Sequence, residues 1–315
     1  MRHNPISSIE VVALRGTILY LSRHKALRRW VETSPLARRV SSRFIAGKSL
    51  EDALTACRKI RDEGIAATLD YLGENVTSLD EAAACRDMYL RMLHAMEKAG
   101  LDPNVSLKLT QFGLELSESA CEENVGALVQ AAAASGGFVR IDMESSQFTD
   151  RTLAMVTRLH AQSGACGTVV QAYLRRSAED IRHMETERIR VRLCKGAYLE
   201  PPEVAFPKKS EVDRNYLDLA KSLLTSGEYP AIATHDWRII QAVEEFASSR
   251  RIARDRFEFQ MLYGIRRDEQ RRLVKQGYRL RVYVPFGEAW YPYFMRRLAE
   301  RPANLLFFAR QLVSR

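Results

Sequence analysis

The sequence predicts an α/β chain folded as a (β/α)8 TIM-type barrel behind an N-terminal helical arm. Three observations carry this. From residue 49 onward eight strand-like runs alternate with helical stretches, no G-x-G-x-x-G turn marks an open dinucleotide-binding sheet, and several strands are polar on one parity only. At 315 residues and 46% hydrophobic content, the chain can bury the core such a barrel needs.

The elements follow in order. A helix over 49–63 starts at Ser49, an N-capping residue type with acids in the turn after it, and a strand near 65–71 follows. Helix 78–99 leads to "VSLKL" at 105–109, helix 117–134 to "FVRIDM" at 138–143, and helix 149–162 to "GTVVQAY" at 167–173. Helix 177–187 precedes a strand within "RIRVRLCKGAY" at 188–198, and helix 210–226 precedes "AIATH" at 231–235. Helix 237–249 leads to "RFEFQ" at 256–260, and helix 266–276 to "RLRVYV" at 279–284. Two segments are expected: a basic helical arm over 1–48 and a catalytic barrel over 49–315.

Strand parity says which way the side chains face. Val139/Ile141, Val191/Leu193, Phe257/Phe259 and Leu280/Val282 alternate with Arg140/Asp142, Arg190/Arg192, Glu258/Gln260 and Arg281/Tyr283. Helices cover a barrel outside, so the apolar parity faces them and the polar parity faces the lumen. Unpaired buried ions are costly, so Arg140, Arg190, Glu258 and Arg281 are expected to pair among themselves beneath the mouth.

The net charge of +9 is concentrated in residues 1–48, which hold ten Lys/Arg against two acids. Nucleic acid, anionic lipid, a partner subunit or a plain solvated helical face would each fit such an arm. Because no aromatic-interleaved basic stripe or nucleic-acid module is present, nucleic acid is not expected as a partner. Five widely spaced cysteines without a C-x-x-C fit a reducing, cytoplasmic setting, and no metal-ligand spacing of histidines appears. No run is apolar and long enough to span a bilayer.

In such barrels the active site forms at the C-terminal ends of the strands. There lie Lys108, Asp142, Gln171, Arg192 with Lys195, Thr234 with His235, and Tyr283. Alone, a rim Lys or Asp reads more readily as a structural ion pair than as a catalytic group, and His235 reads equally well as a satisfied structural residue. Together they define one cavity with several positive charges, suited to an anionic ligand and a phosphate-bearing cofactor. The last helix, "YFMRRLAERPAN", adds the adjacent Arg296 and Arg297, with Glu300 one turn on.

With these residues assembled, "SLKLTQFG", "VRIDMESS", "VVQAYLRR", "VRLCKGAYLEPPE", "ATHD", "FEFQMLYG" and "YVPFGEAWYPYFMRRLAERPAN" resemble the proline dehydrogenase family. The likeness covers roughly residues 45–312 and is greater to the short monofunctional bacterial branch than to the bifunctional proline-utilisation proteins. Cys194 stands where that family more often has Val, and Leu199 and Asp236 differ from the bifunctional branch. The resemblance implies FAD-dependent oxidation of L-proline to Δ1-pyrroline-5-carboxylate by hydride transfer to flavin N5, with electrons passed to a quinone. It implies that Arg192 sits near N5 and that Met143, Gln171, Lys195, Gly196, Ala197, Thr234 and His235 hold the cofactor. Lys108, Arg296 and Arg297 would grip the substrate carboxylate, while Asp142, Tyr198, Leu262, Tyr283 and Glu300 shape the pocket. A quinone acceptor makes peripheral contact of the basic arm with the inner face of the cytoplasmic membrane an expectation, and homo-oligomerisation stays open. The competing readings are a basic lipid- or nucleic-acid-binding protein on an inert barrel, and another flavin barrel such as a folate reductase.

Overall fold

Ser49 caps the first helix: its Oγ accepts from Asp52 N while the Asp52 carboxylate accepts from Ser49 N, both at 3.1 Å. In the computed structural model, which describes residues 41–73 and 75–300 with side chains through 295, that helix is α1 (Leu50–Arg61). There follow β1 (Ala66–Tyr71), α2 (Leu79–Lys98), β2 (Asn104–Lys108), α3 (Glu118–Ala134), β3 (Phe138–Asp142), α4 (Thr149–Ser163) and β4 (Cys166–Gln171). The second half comprises α5 (Ser177–Thr186), β5 (Arg190–Cys194), α6 (Lys209–Ser226), β6 (Ala231–Ala233), α7 (Trp237–Ser249), β7 (Glu258–Leu262), α8 (Arg267–Lys275), β8 (Arg279–Phe286) and α9 (Trp290–Glu300). All eight strands are parallel and close in chain order, β8 pairing with β1 from Ala66↔Arg281 to Tyr71↔Phe286. The barrel expected from the sequence is the one observed.

Several strand ends differ from expectation by one or two residues, and two of the shifts have clear local reasons. Strand β6 stops at Ala233 because Asp236 N turns back onto Thr234 Oγ1 (3.1 Å) and the Asp236 carboxylate caps α7 through Arg238 N (3.2 Å). Strand β8 runs two residues beyond 284 because its end stays paired with Tyr71 of β1. Most of the expected basic arm, residues 1–40, lies outside the described residues. Residues 41–47 rest on the barrel, with Ala46 N donating to Pro285 O (2.9 Å) and Gly287 N to Gly47 O (3.1 Å). Among the described residues no helix is long and apolar enough to cross a membrane.

The parity argument holds: Val139, Ile141, Val191, Leu193, Phe257, Phe259, Leu280 and Val282 are all buried in the hydrophobic core. The opposite parity bonds across the lumen. In its lower layer, Arg281 Nε donates to both Glu258 oxygens (3.0 and 3.1 Å), and its Nη1 reaches Asp102 (2.7 Å) and Ala67 O (2.8 Å). The expected pairing among the four is met by Arg281 with Glu258, whereas the Arg140 and Arg190 guanidinium groups find partners other than carboxylates. Arg140 Nη1 donates to the carbonyls of Thr168 (2.9 Å) and Arg190 (2.5 Å), and its guanidinium stands over the Phe138 ring. Arg190 lies over Phe138 and Tyr229. The cause is Gly167: a Cβ there would stand 2.9 Å from Arg140 Nη1, so the bare backbone of β4 leaves the space the guanidinium occupies. Carbonyl lone pairs and ring faces replace carboxylates as partners. Burial and the neighbouring Arg192 pull Arg140 down to about 9, which keeps it charged at neutral pH.

Strands β1 and β2 pair in register at Leu69↔Val105, and above that pair a side chain from α2 joins the two strands. The fully buried Tyr89 hydroxyl accepts from Tyr71 N (3.2 Å) and donates to Ser106 O (2.9 Å), while Gln111 Nε2 reaches Tyr71 O (2.9 Å). A phenol thus supplies a rung of the ladder at the level of the barrel mouth.

Candidate active site

Arg192, in the middle of β5, projects into the lumen and is 6% exposed. Each of its nitrogens meets an acceptor from a different strand: Nε to Gln260 Oε1 of β7 (2.5 Å), Nη1 to Asp142 Oδ1 of β3 (2.9 Å) and Nη2 to Ser106 Oγ of β2 (2.8 Å). The ring of Tyr283 from β8 lies 5.4 Å from its guanidinium carbon. The Tyr283 hydroxyl donates at 2.6 Å to Asp70 Oδ2 of β1 and stands 3.2 Å from Asp142 Oδ2. Lys108 Nζ lies 3.6 Å from Asp142 and 3.8 Å from Asp70, which are ion-pair rather than hydrogen-bond distances. Burial first, then the Asp70 and Asp142 carboxylates, push the Tyr283 phenol well above its ordinary value, so it stays protonated.

The structure therefore brings Lys108, Asp142, Arg192 and Tyr283 into one connected cluster. Carboxylates stand among the cations expected there. Among the described residues the two cations of this cluster, Lys108 and Arg192, face two carboxylates, Asp70 and Asp142. The same balance recurs at Lys195, whose Nζ donates to Asp213 of α6 (2.6 Å) and to Asp236 (2.9 Å). Lys209 joins both acids from the first turn of α6. Desolvation in the interior makes an unmatched cation costly, and the fold answers with carboxylates from other elements.

The other predicted residues ring the mouth. Gln171, at the end of β4, donates through Nε2 to Glu144 O (2.9 Å), and the buried Glu144 carboxylate accepts from Thr110 N (3.1 Å) and Thr110 Oγ1 (2.7 Å). Thr234 N bonds Gln260 O (3.2 Å). His235 Nε2 accepts from Leu262 N (2.9 Å), which places the ring proton on Nδ1 and fixes the β7 end beside Leu262. Met143 packs in the hydrophobic core at the end of β3. Gly196, Ala197 and Tyr198, all half-buried, open the long loop 195–208. That loop is tied down by Tyr173 N to Lys195 O (2.9 Å), Phe206 N to Tyr173 O (2.8 Å), and Ser146 N and Oγ to Glu200 (2.7 and 2.6 Å). Gly196 has φ +112°, and a Cβ would stand 2.1 Å from the Tyr173 ring, so no other residue type fits without moving the loop. The backbone of Arg296, Arg297 and Glu300 continues α9, but their side chains lie outside the described residues. Sequence reasoning missed Asp70, Ser106, Tyr89 and Asp213.

A parallel barrel that gathers buried, cross-bonded charged groups at the C-terminal ends of its strands is built as an enzyme of the (β/α)8 class. Comparison with known proteins makes this specific. The family described as Proline dehydrogenase matches residues 53–310. The chain is 41% identical over 302 residues to Proline dehydrogenase 1 of Bacillus subtilis subsp. natto, covering 96% of this chain and all of that one. It is 42% identical over 279 residues to Proline dehydrogenase of Deinococcus radiodurans, covering 87% and 90%. A crystal structure of proline utilization A (PutA) from Bdellovibrio bacteriovorus, inactivated by N-propargylglycine, superposes with a TM-score of 0.78 at 27% identity, covering 91% of this chain and 36% of that one. The chain thus spans about a third of that longer protein. This chain belongs to the proline dehydrogenase family. It is an oxidoreductase that oxidises proline in proline catabolism, which sets aside the inert-scaffold and folate-reductase readings.

The Lys195 cluster has a pH signature. Burial alone would raise the Asp213 and Asp236 carboxyls, but hydrogen bonds from Lys195, joined by Lys209 at Asp213, outweigh it and hold both below the usual carboxylate range. A depressed folded value gives stability that is complete above the unfolded carboxyl value of about 3.9 and is lost as pH falls through the lower folded value. Asp213→Asn is expected to lower Tm at pH 7 by about 2–4 °C, as a loss of ~1 kcal/mol would. It should also flatten the acid-side decline between about pH 5 and 3. Thermal melts across that range check this, and parallel curves for the two proteins would contradict it.

Proposed function

We propose that the chain is an FAD-dependent L-proline dehydrogenase producing Δ1-pyrroline-5-carboxylate, with its cofactor and substrate held at the mouth around Arg192. The observation that carries the reading is the connected cluster of Lys108, Asp142, Arg192 and Tyr283. Proline is a zwitterion. A site balanced between cations and carboxylates suits a ligand that brings one charge of each sign, where a purely cationic mouth would repel the ammonium.

The donor set also fits a flavin nucleotide. Gln171, Thr234, Arg192 and Lys195 offer amide, hydroxyl, guanidinium and ammonium groups around the mouth. Gly196 lets the backbone turn where a side chain would meet Tyr173 at 2.1 Å. Met143, Ala197 and His235 complete the proposed cofactor shell. When bound there, FAD supplies the two-electron acceptor at N5. Everything else is the work of the chain. Oxidation to the imine removes a hydride from the ring CH2 next to nitrogen and needs a nitrogen lone pair, so the ammonium first releases a proton to solvent. Asp142, its Oδ1 held by Arg192, is placed to accept the N–H of the ring with Oδ2. Lys108, Arg296 and Arg297 grip the carboxylate, two guanidinium forks fixing a small ring in one orientation. Leu262, Tyr198, Tyr283 and Glu300 enclose its edges. Arg192, buried and triply hydrogen-bonded, holds fixed positive charge where negative charge develops on reduction.

The electrons pass to a quinone, and the basic arm 1–48 brings the cytoplasmic enzyme to the inner face of the membrane. Each cation near an anionic surface contributes on the order of 1 kcal/mol. Homo-oligomers are compatible with this reading.

Anaerobic titration of the purified, FAD-loaded protein with L-proline is expected to bleach the visible flavin bands, and a spectrum unchanged by proline would overturn the proposal. For the arm, flotation with anionic vesicles should fall to background in a chain lacking residues 1–48. Equal flotation of the shortened chain would reject the membrane role.

A further inference from the structure

Asp70 belongs to none of the roles above, yet it sits directly beneath the site. Its side chain is 2% exposed against 14% for Asp142, so Asp142 faces the cavity and Asp70 lies behind it. The hydroxyl of Tyr283 stands between them, 2.6 Å from Asp70 Oδ2 and 3.2 Å from Asp142 Oδ2. A phenol has one proton to give. The shorter contact takes it, and 2.6 Å is the distance expected of a charge-assisted O–H···O bond to a carboxylate.

The consequence falls on Asp142. Its Oδ1 is engaged by Arg192 Nη1 at 2.9 Å. Its Oδ2 faces the Tyr283 oxygen, whose proton points the other way, and Lys108 at an ion-pair distance of 3.6 Å. Oδ2 is thereby kept able to accept a hydrogen from an incoming ammonium. Resting on the proposed function, we infer that Asp70 is a positioning residue for amine recognition: by holding the Tyr283 proton it reserves Asp142 Oδ2 for the ring nitrogen of the substrate. The phenol stays neutral across the working pH range because burial and the two carboxylates raise it, so it has a proton to direct. Tyr89, whose hydroxyl lies 3.2 Å from Asp70 Oδ1, braces the carboxylate from the α2 side.

Asp70→Asn reverses the arrangement, because an amide can donate to the Tyr283 oxygen and turn the phenolic proton toward Asp142. The KM for L-proline is expected to rise on the order of tenfold, as losing a hydrogen bond to a charged group would cause. The inhibition constant of the ring-oxygen analogue, tetrahydrofuran-2-carboxylate, has no N–H to lose and should stay within about twofold. In a Tyr283→Phe background the Asp70→Asn effect on this ratio should vanish. Constants for proline and analogue that move together, or a ratio that does not move, overturn the inference. Should Asp70→Asn fail to fold, neutron diffraction from the deuterium-exchanged native protein decides: a Tyr283 deuteron on the Asp70 side supports the inference, and one on the Asp142 side overturns it. If native enzyme is not reduced by proline, the proposed function fails instead, so the two failures are separable.

Discussion

A guanidinium in the middle of a barrel is the constraint around which the rest of this structure is arranged. Removing Arg192 from water carries a desolvation cost of several kcal/mol, roughly, unless directional acceptors replace the lost hydration. Asp142, Ser106 and Gln260 provide them from three strands, none of which pairs with β5. Those bonds cross the lumen and tie opposite sides of the barrel, so the polar parity of these strands is a packing requirement in its own right. The layer below obeys the same rule by other means: a carboxylate for Arg281, backbone carbonyls for Arg140, aromatic faces for Arg190.

Satisfying Arg192 also sets the chemistry of the mouth. In the proposed function Asp142 meets the ligand through Oδ2, and the bond from the Arg192 guanidinium to Oδ1, which the ligand does not make, fixes the orientation of that carboxylate. In the proposed function, charge balance serves recognition too. A site of paired cations and carboxylates discriminates by the direction of hydrogen bonds more than by net field, as suits a substrate carrying both signs on one small ring. The Lys195, Asp213 and Asp236 cluster extends the pattern to the other side of the mouth, joining the end of β5 to the starts of α6 and α7.

Much of this was legible in the sequence. Eight alternating elements and the strict parity of "FVRID", "RVRLC", "FEFQ" and "RLRVY" fixed the barrel and its polar lumen, and reading the strand ends together picked out four residues that meet in space. What escaped did so for physical reasons. Asp70 occupies the lumen parity of β1 with Thr68, but "AATLDY" lacks the charged alternation that drew notice elsewhere. Tyr89 reads as an apolar position on a helix, and nothing local says that its hydroxyl reaches through to the β1–β2 seam. The acids that hold Lys195 come from α6 and from the N-cap of α7, 18 and 41 residues away, beyond any motif window. Partners made of backbone carbonyl, as for Arg140, leave no mark in the residue pattern, although the glycine that makes room for them does.

The dependence of fold and site on one buried pair can be measured by a double-mutant cycle on Arg192→Met and Asp142→Asn, followed by chemical denaturation. Each single change should destabilise by about 3 kcal/mol or more, since it takes from a buried partner its hydrogen-bonded counter-charge. The double variant should recover about 2 kcal/mol relative to the sum. Losses that add to within about 0.5 kcal/mol would show that the two groups do not interact, and would contradict the account.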